Sequence, residues 1–230
     1  MRTNARALVA VLFLGPMTTG IEAEGQGGIG NFQYGGCTNQ DYNVRANSLA
    51  AEVRAKTDEG ATAELDGSYA GGVVRSTREG VAVDRTGADV GYLAGAVRVG
   101  WQWRYGGGDI GGGLAQRAPD SYSSNGTAVN GGTIPFPSLS AWGGVPRYAY
   151  GWTSYGAEPL VFPLNARPPL FIGAGHEDAL FDIKAGYGIG GILRATAKLH
   201  PYFQPGVDLR YLDARNWHTA FTLRLTWERQ

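Results

Sequence analysis

From Phe181 to His200 apolar and polar residues alternate at nearly every position. Odd positions hold Phe181, Ile183, Ala185, Tyr187, Ile189, Leu193, Ala195, Ala197 and Leu199. Even positions hold Asp182, Lys184, Arg194, Lys198 and His200, with Gly186, Gly188 and Gly190 between them. A period of two is the strand period, so such a run gives a sheet with one apolar and one polar face. The pattern recurs as Leu93, Val97, Val99, Trp101, Trp103 and Tyr105 against Arg98, Gln102 and Arg104, and as Ala63, Leu65 and Tyr69 against Glu64, Asp66 and Ser68. It ends the chain as Trp217, Thr219, Phe221, Leu223, Leu225 and Trp227 against His218, Thr222, Arg224, Thr226 and Glu228. Strands are predicted over 44–56, 61–75, 80–105, 146–157, 168–175, 178–199, 203–213 and 216–228. The segment 48–56 also fits a short helix, but Thr57–Gly60 reads as a hairpin turn and favours the strand. A turn at 85–89 would divide the third strand in two.

Alternation gives each strand two environments without saying which is inside. A soluble sandwich or barrel turns the apolar face inward; a membrane barrel turns it outward into lipid and fills the lumen with polar groups. Strand length favours lipid, because several runs exceed the five or six residues of soluble strands. Aromatic placement agrees. Trp217 and Trp227 share the apolar face ten residues apart, which spans roughly 25 Å along the normal of a tilted strand, the height of an outer-membrane apolar band. Trp101, Trp103 and Tyr105 gather at one end of their strand and join them as expected membrane-interface residues. Asp182, Lys184, Arg194, Lys198 and Arg224 are then expected to face the lumen, where opposite charges pair and glycine leaves room. On a sandwich exterior, glycines at mid-strand would waste packing.

Acidic and basic residues balance at 20 each, so net charge recruits no nucleic acid. Glycine, at 37 residues, is high, yet 43% of residues are hydrophobic, which argues for many turns and strands over disorder. Arg2 and Arg6 ahead of the apolar stretch Ala7–Gly15, with Ile21-Glu22-Ala23 as a cleavage position, read as a secretory signal over residues 1–23. A Gly-rich lead would follow at 24–43, then a barrel domain at 44–230. Cys37 has no partner cysteine in the chain and reads as incidental. Residues 106–145, rich in Gly, Ser, Asn and Pro, read as one long loop, of the kind that is functional or mobile. With both chain ends in the periplasm, eight strands put that loop outside the cell and Glu158–Pro169 in a periplasmic turn.

On this patterning the chain resembles the small outer-membrane β-barrels of Gram-negative bacteria, as a class and over residues 44–228. The resemblance implies an all-β, antiparallel, up-and-down transmembrane barrel of about eight strands. It also implies lipid as partner and insertion by the barrel-assembly machinery. That machinery reads a final aromatic residue in this class, whereas this chain ends in Gln230, with Trp227 as the nearest aromatic.

No chemical motif competes with this reading. Gly186-x-Gly188-x-x-Gly191 matches a dinucleotide fingerprint in letters only, since alternation runs through it and no helix follows. Gly106–Gly113 lacks the Lys-Ser/Thr of a phosphate loop. His176, His200 and His218 have no metal-ligand spacing, so neither metal nor cofactor is expected. His176-Glu177-Asp178, expected at an extracellular turn, is the one place where an Asp–His pair would activate water; a polar hairpin is the plainer reading. The expected role is non-enzymatic: surface interaction, envelope structure or limited small-solute passage, with an extracellular ligand possible at 106–145. The alternatives are a soluble secreted β-sandwich or barrel binding carbohydrate or protein, and a lipid-modifying or proteolytic barrel.

Overall fold

A computed structural model describes residues 18–35, 40–78, 81–84, 89–117, 133–156, 170–188, 190–213 and 216–228, to which all structural statements refer. The strands are β1 (Thr18–Gly35), β2 (Gln40–Thr57), β3 (Ala61–Arg78), β4 (Val81–Asp84), β5 (Asp89–Trp103), β6 (Gly106–Arg117), β7 (Thr133–Val145), β8 (Ala149–Tyr155), β9 (Leu170–Glu177), β10 (Phe181–Gly188), β11 (Gly190–Ala197), β12 (Gln204–Asp213) and β13 (Asn216–Glu228). Every pairing is antiparallel and joins chain neighbours, except that β3 pairs with β5 past the short β4 and that β1 pairs with β13. The sheet therefore closes on itself, with twelve strands in the ring. The short β4 only prolongs the position of β5, pairing with the far end of β3. Closure removes the sheet edges that an open sheet leaves exposed.

The faces are inverted relative to a water-soluble protein. Leu49 (64%), Ile110 (67%) and Phe221 (60%) are exposed, whereas Glu64 (3%), Asp208 (1%) and His218 (2%) are buried. Trp101, Trp103, Ile172, Tyr187, Leu209 and Leu225 continue the outward apolar surface. The one apolar cluster inside is small: Phe136 against Ala70, Ala94, Ala96 and Ala115, which line the inner wall of β3, β5 and β6.

Twelve strands replace the expected eight for three physical reasons. The Gly-rich lead forms β1, held on both sides by β2 and β13, for example Glu24 opposite Glu52 and Arg224. Its glycines hid the alternation, since a position without a side chain carries no polarity. The predicted cleavage position, Ile21 to Ala23, lies inside this strand, and a cut after Ala23 would take Thr18–Ala23 from it. Residues 106–145 are not one loop: they form β6 and β7 around residues 118–132, which lie outside the described residues. The two-residue turn at Arg104–Tyr105 moves the outward positions from odd to even, so Ile110 and Leu114 face out. Six glycines in β6 again mute the pattern.

The third reason concerns the run that looked most like a single strand. Residues 178–199 contain the hairpin β10–β11, with Tyr187 opposite Gly191 and Gly188 opposite Gly190. Odd residues pair with odd across this turn, so parity survives the reversal and the alternation cannot betray it. Gly190, at φ 99°, takes the left-handed conformation that the reversal needs. Gly60 does the same at φ 98° in the β2–β3 turn, where its amide donates to the Thr57 carbonyl at 3.0 Å.

An extra strand ahead of β2 also reverses the side of many connections. The turns Asp58–Gly60, Arg104–Tyr105, Pro146–Tyr148 and Asp178–Leu180 lie at the end where β1 begins and β13 finishes. The connections 118–132 and 157–169 join strand ends at the opposite rim. His176-Glu177-Asp178 thus sits on the short-turn end and not among the long connections. Residues 1–17, Cys37 and the predicted turn Glu158–Pro169 lie outside the described residues.

Candidate functional site

Inside the ring, acidic and basic side chains from neighbouring strands meet in a lattice. In its first half, buried Glu64 of β3 is shared by Arg54 of β2 and Arg98 of β5. Arg98 also reaches Asp66 at 3.2 Å and Asp109 at 3.7 Å, and Ser140 donates to Asp109. In the second half, Arg194 bridges Glu24 at 2.8 Å and Asp208 at 3.0 Å, while Arg210 holds Asp208 at 2.9 Å. Arg224 contacts Glu22 at 3.0 Å, Glu24 at 3.2 Å and Asp182 at 3.1 Å. Glu24 on β1 faces both Arg194 and Arg224, so the Gly-rich lead supplies a central carboxylate of the lumen. Such buried charges persist only when paired, because a lone one costs several kcal/mol in desolvation.

Aromatic rings fill the remaining space by lying over glycines of the next strand. Phe136 stands opposite Gly113, Tyr150 opposite Gly175 and Trp152 opposite Gly173. A Cβ at Gly186 would lie 2.5 Å from the Trp152 ring, so that indole covers two strands. Tyr150 also donates to Asp182 at 3.3 Å, tying the aromatic half of the lumen to the charged half. A cavity of about 130 Å³ lies at this level, with Glu24, Glu52, Asp66, Arg98, Arg194 and Phe136 on its wall. An inward aromatic paired with a glycine leaves no trace in a periodicity count, which is why the sequence did not single out Phe136, Tyr150 or Trp152.

Asp182, Lys184, Arg194, Lys198 and Arg224 all lie on the inner face, on β10 to β13 or just past β11. Asp182 is buried, Arg194 and Arg224 belong to the lattice, and Lys198 pairs with Glu177 at 2.5 Å near the short-turn rim. Lys184 has no carboxylate within ion-pair distance among the described residues. Trp101, Trp103, Tyr105 and Trp227 are exposed at the short-turn end of the wall, and Trp217 is exposed ten residues along β13 at the other end. Sequence reasoning missed Glu24, Arg54, Glu64, Arg98, Asp109, Asp208 and Arg210. The even-position charges of β3 and β5 were a usable signal for Glu64 and Arg98.

Two histidine constellations bear on hydrolysis. His176 Nε2 lies 3.4 Å from Asp178 Oδ2 and its Nδ1 lies 3.1 Å from the Tyr148 carbonyl. The Asp178 carboxylate accepts amides from Phe181 and Leu180, both at 2.7 Å, which hold its pKa below the ordinary aspartate value, with His176 adding to the effect. Asp178 is therefore the cap of a tight turn. His218 Nε2 lies 2.8 Å from Ser48 Oγ inside the lumen, but both side chains are buried and no carboxylate orients His218 Nδ1 among the described residues. Neither arrangement joins base, nucleophile and access. No group of three or more metal-ligating side chains gathers among the described residues.

No protein-family model and no curated protein matches the chain. Among solved structures, it is similar to OprB of Pseudomonas putida, with 11% identity over 98% of each chain and a TM-score of 0.35. It is also similar to the translocator domain of the autotransporter NalP from Neisseria meningitidis, with 10% identity over 98% of this chain and 97% of that one, at a TM-score of 0.34. Ail of Yersinia pestis gives 15% identity over 92% of this chain and 100% of that one, at 0.27. By its own ring closure and inverted faces, the chain resembles the outer-membrane β-barrel proteins in architecture.

Proposed function

We propose that this chain is an outer-membrane β-barrel with a non-enzymatic role, whose lumen is closed by its own side chains. One observation carries the reading: charges are buried inside a closed ring while large apolar side chains cover its outside. In water, each outward Leu, Ile or Phe would forgo about 1.5–3 kcal/mol of burial, and the continuous patch would far exceed what soluble monomers expose. Lipid removes that cost, and the aromatics at both ends of β13 suit the two interfaces. A sandwich would need two stacked sheets with apolar inner faces, against the single inverted ring described above. Short turns, the start of β1 and the end of β13 at one rim suit the periplasmic side, which leaves the rim of connections 118–132 and 157–169 to meet any extracellular partner. A closed lattice with a cavity of about 130 Å³ suits a structural or surface role better than a wide pore. The sealed Ser48–His218 pair supports the same side of the choice.

The test is fractionation of cells making the full chain. The protein is expected in the outer membrane, released only by detergent and shifted on gels when unheated; recovery in the soluble periplasm would sink the reading. In planar bilayers the wild type is expected to give no large conductance steps, whereas Arg98→Ala with Phe136→Ala should raise conductance. Large wild-type steps would refute the closed lumen.

A further inference from the structure

At the short-turn rim, the turns Arg104–Tyr105 and Pro146–Tyr148 stand side by side, joined where the Gly144 amide donates to the Tyr105 carbonyl at 3.0 Å. Between them and the Asp178–Leu180 turn runs an open groove of about 1090 Å³, bordered by Arg104, Tyr105, Arg147, Tyr148, Leu180 and Lys198. Its charges are unevenly matched. Glu177 is paired with Lys198, while Asp178 keeps its charge and accepts the Leu180 and Phe181 amides, so the lining holds Arg104, Arg147 and Lys198 against two carboxylates. Arg104 and Arg147 have no carboxylate partner among the described residues; Arg104 lies over the Tyr105 ring at 5.1 Å. Two unpaired guanidiniums thus flank one groove, and guanidinium is the side chain best suited to a phosphate. Beside them the outer wall is apolar and aromatic, with Trp101, Trp103, Tyr105, Val145 and Tyr148 exposed. A ligand that fits both parts has an anionic phosphate and an apolar body.

We infer that this groove binds the phosphate of an anionic phospholipid, with Arg104 and Arg147 on the headgroup and the acyl chains against Trp101 and Trp103. The inference rests on the membrane-barrel reading, under which this rim faces the phospholipid leaflet. Each arginine is expected to raise the association of an anionic lipid over a zwitterionic one by about fivefold at low salt.

The experiment uses the full chain refolded in phosphatidylcholine vesicles containing a small fraction of brominated phosphatidylglycerol or, separately, brominated phosphatidylcholine, with tryptophan quenching as readout. The wild type should be quenched more strongly by the brominated phosphatidylglycerol. In R104Q/R147Q the two lipids should quench alike. Equal quenching in the wild type, or a preference retained by the double variant, overturns the inference while leaving the barrel reading intact. Absence of quenching by either lipid overturns the barrel reading itself. Glycerol 3-phosphate added to the buffer distinguishes the phosphate source: a preference that persists supports a lipid ligand, and one that collapses refutes it.

Discussion

Phe221→Arg separates a lipid-facing wall from a water-facing one more sharply than any other single change. Phe221 is 60% exposed on the outer face of β13, four residues from Trp217 and six from Trp227. At about 3.3 Å per residue and a tilt near 40°, it lies roughly 10 Å from one aromatic level and 15 Å from the other, close to the middle of a 25 Å apolar band. An arginine at that depth costs about 2–4 kcal/mol, which is about 30- to 900-fold in the folded-to-unfolded ratio. On a water-exposed wall the same substitution falls within about 0.5 kcal/mol of neutral. Tyr211 pairs with Trp217 on the outer face, so Tyr211→Arg serves as an interfacial control costing about 0–1 kcal/mol. The assay is reversible urea unfolding in phospholipid vesicles, followed by tryptophan fluorescence and by the gel shift of unheated samples. A Phe221→Arg variant as stable as the wild type, or no less stable than Tyr211→Arg, would refute the argument that this face meets lipid.

Three further outcomes follow from the lumen and the turns. Glu64→Gln leaves Arg54 and Arg98 facing each other without their shared carboxylate, and should lower stability by about 3 kcal/mol in the same unfolding assay. Gly186→Ala drives a methyl into the Trp152 ring and should cost about 1–3 kcal/mol; Trp152→Phe in the same chain should return part of it, which a double-mutant cycle measures. The folded-state pKa of Asp178 is depressed, so its contribution to stability is present above the ordinary aspartate value and is lost as pH falls through the folded value. Asp178→Asn should therefore lose less stability than the wild type on acidification from pH 5 to pH 2, read as the shift in urea midpoint.

What the sequence determined by itself is the two-faced strand. Leu93 to Tyr105 and Trp217 to Trp227 carry their alternation in the residues, and side chains on a pleated backbone must point alternately to opposite sides. The inner location of Asp182, Lys184, Arg194, Lys198 and Arg224 follows from that parity once the apolar face is set outward. What only the tertiary structure decided is where strands begin, reverse and pair. Glycine has no polarity, so β1 and β6 were silent until β13 and β5 supplied partners for their backbones. A hairpin whose turn keeps parity, as at Gly188–Gly190, is invisible to a period of two. The lattice is likewise a product of closure: Glu24 and Arg224 are 200 residues apart in the chain, and only the β1–β13 pairing that closes the ring brings them within hydrogen-bond reach.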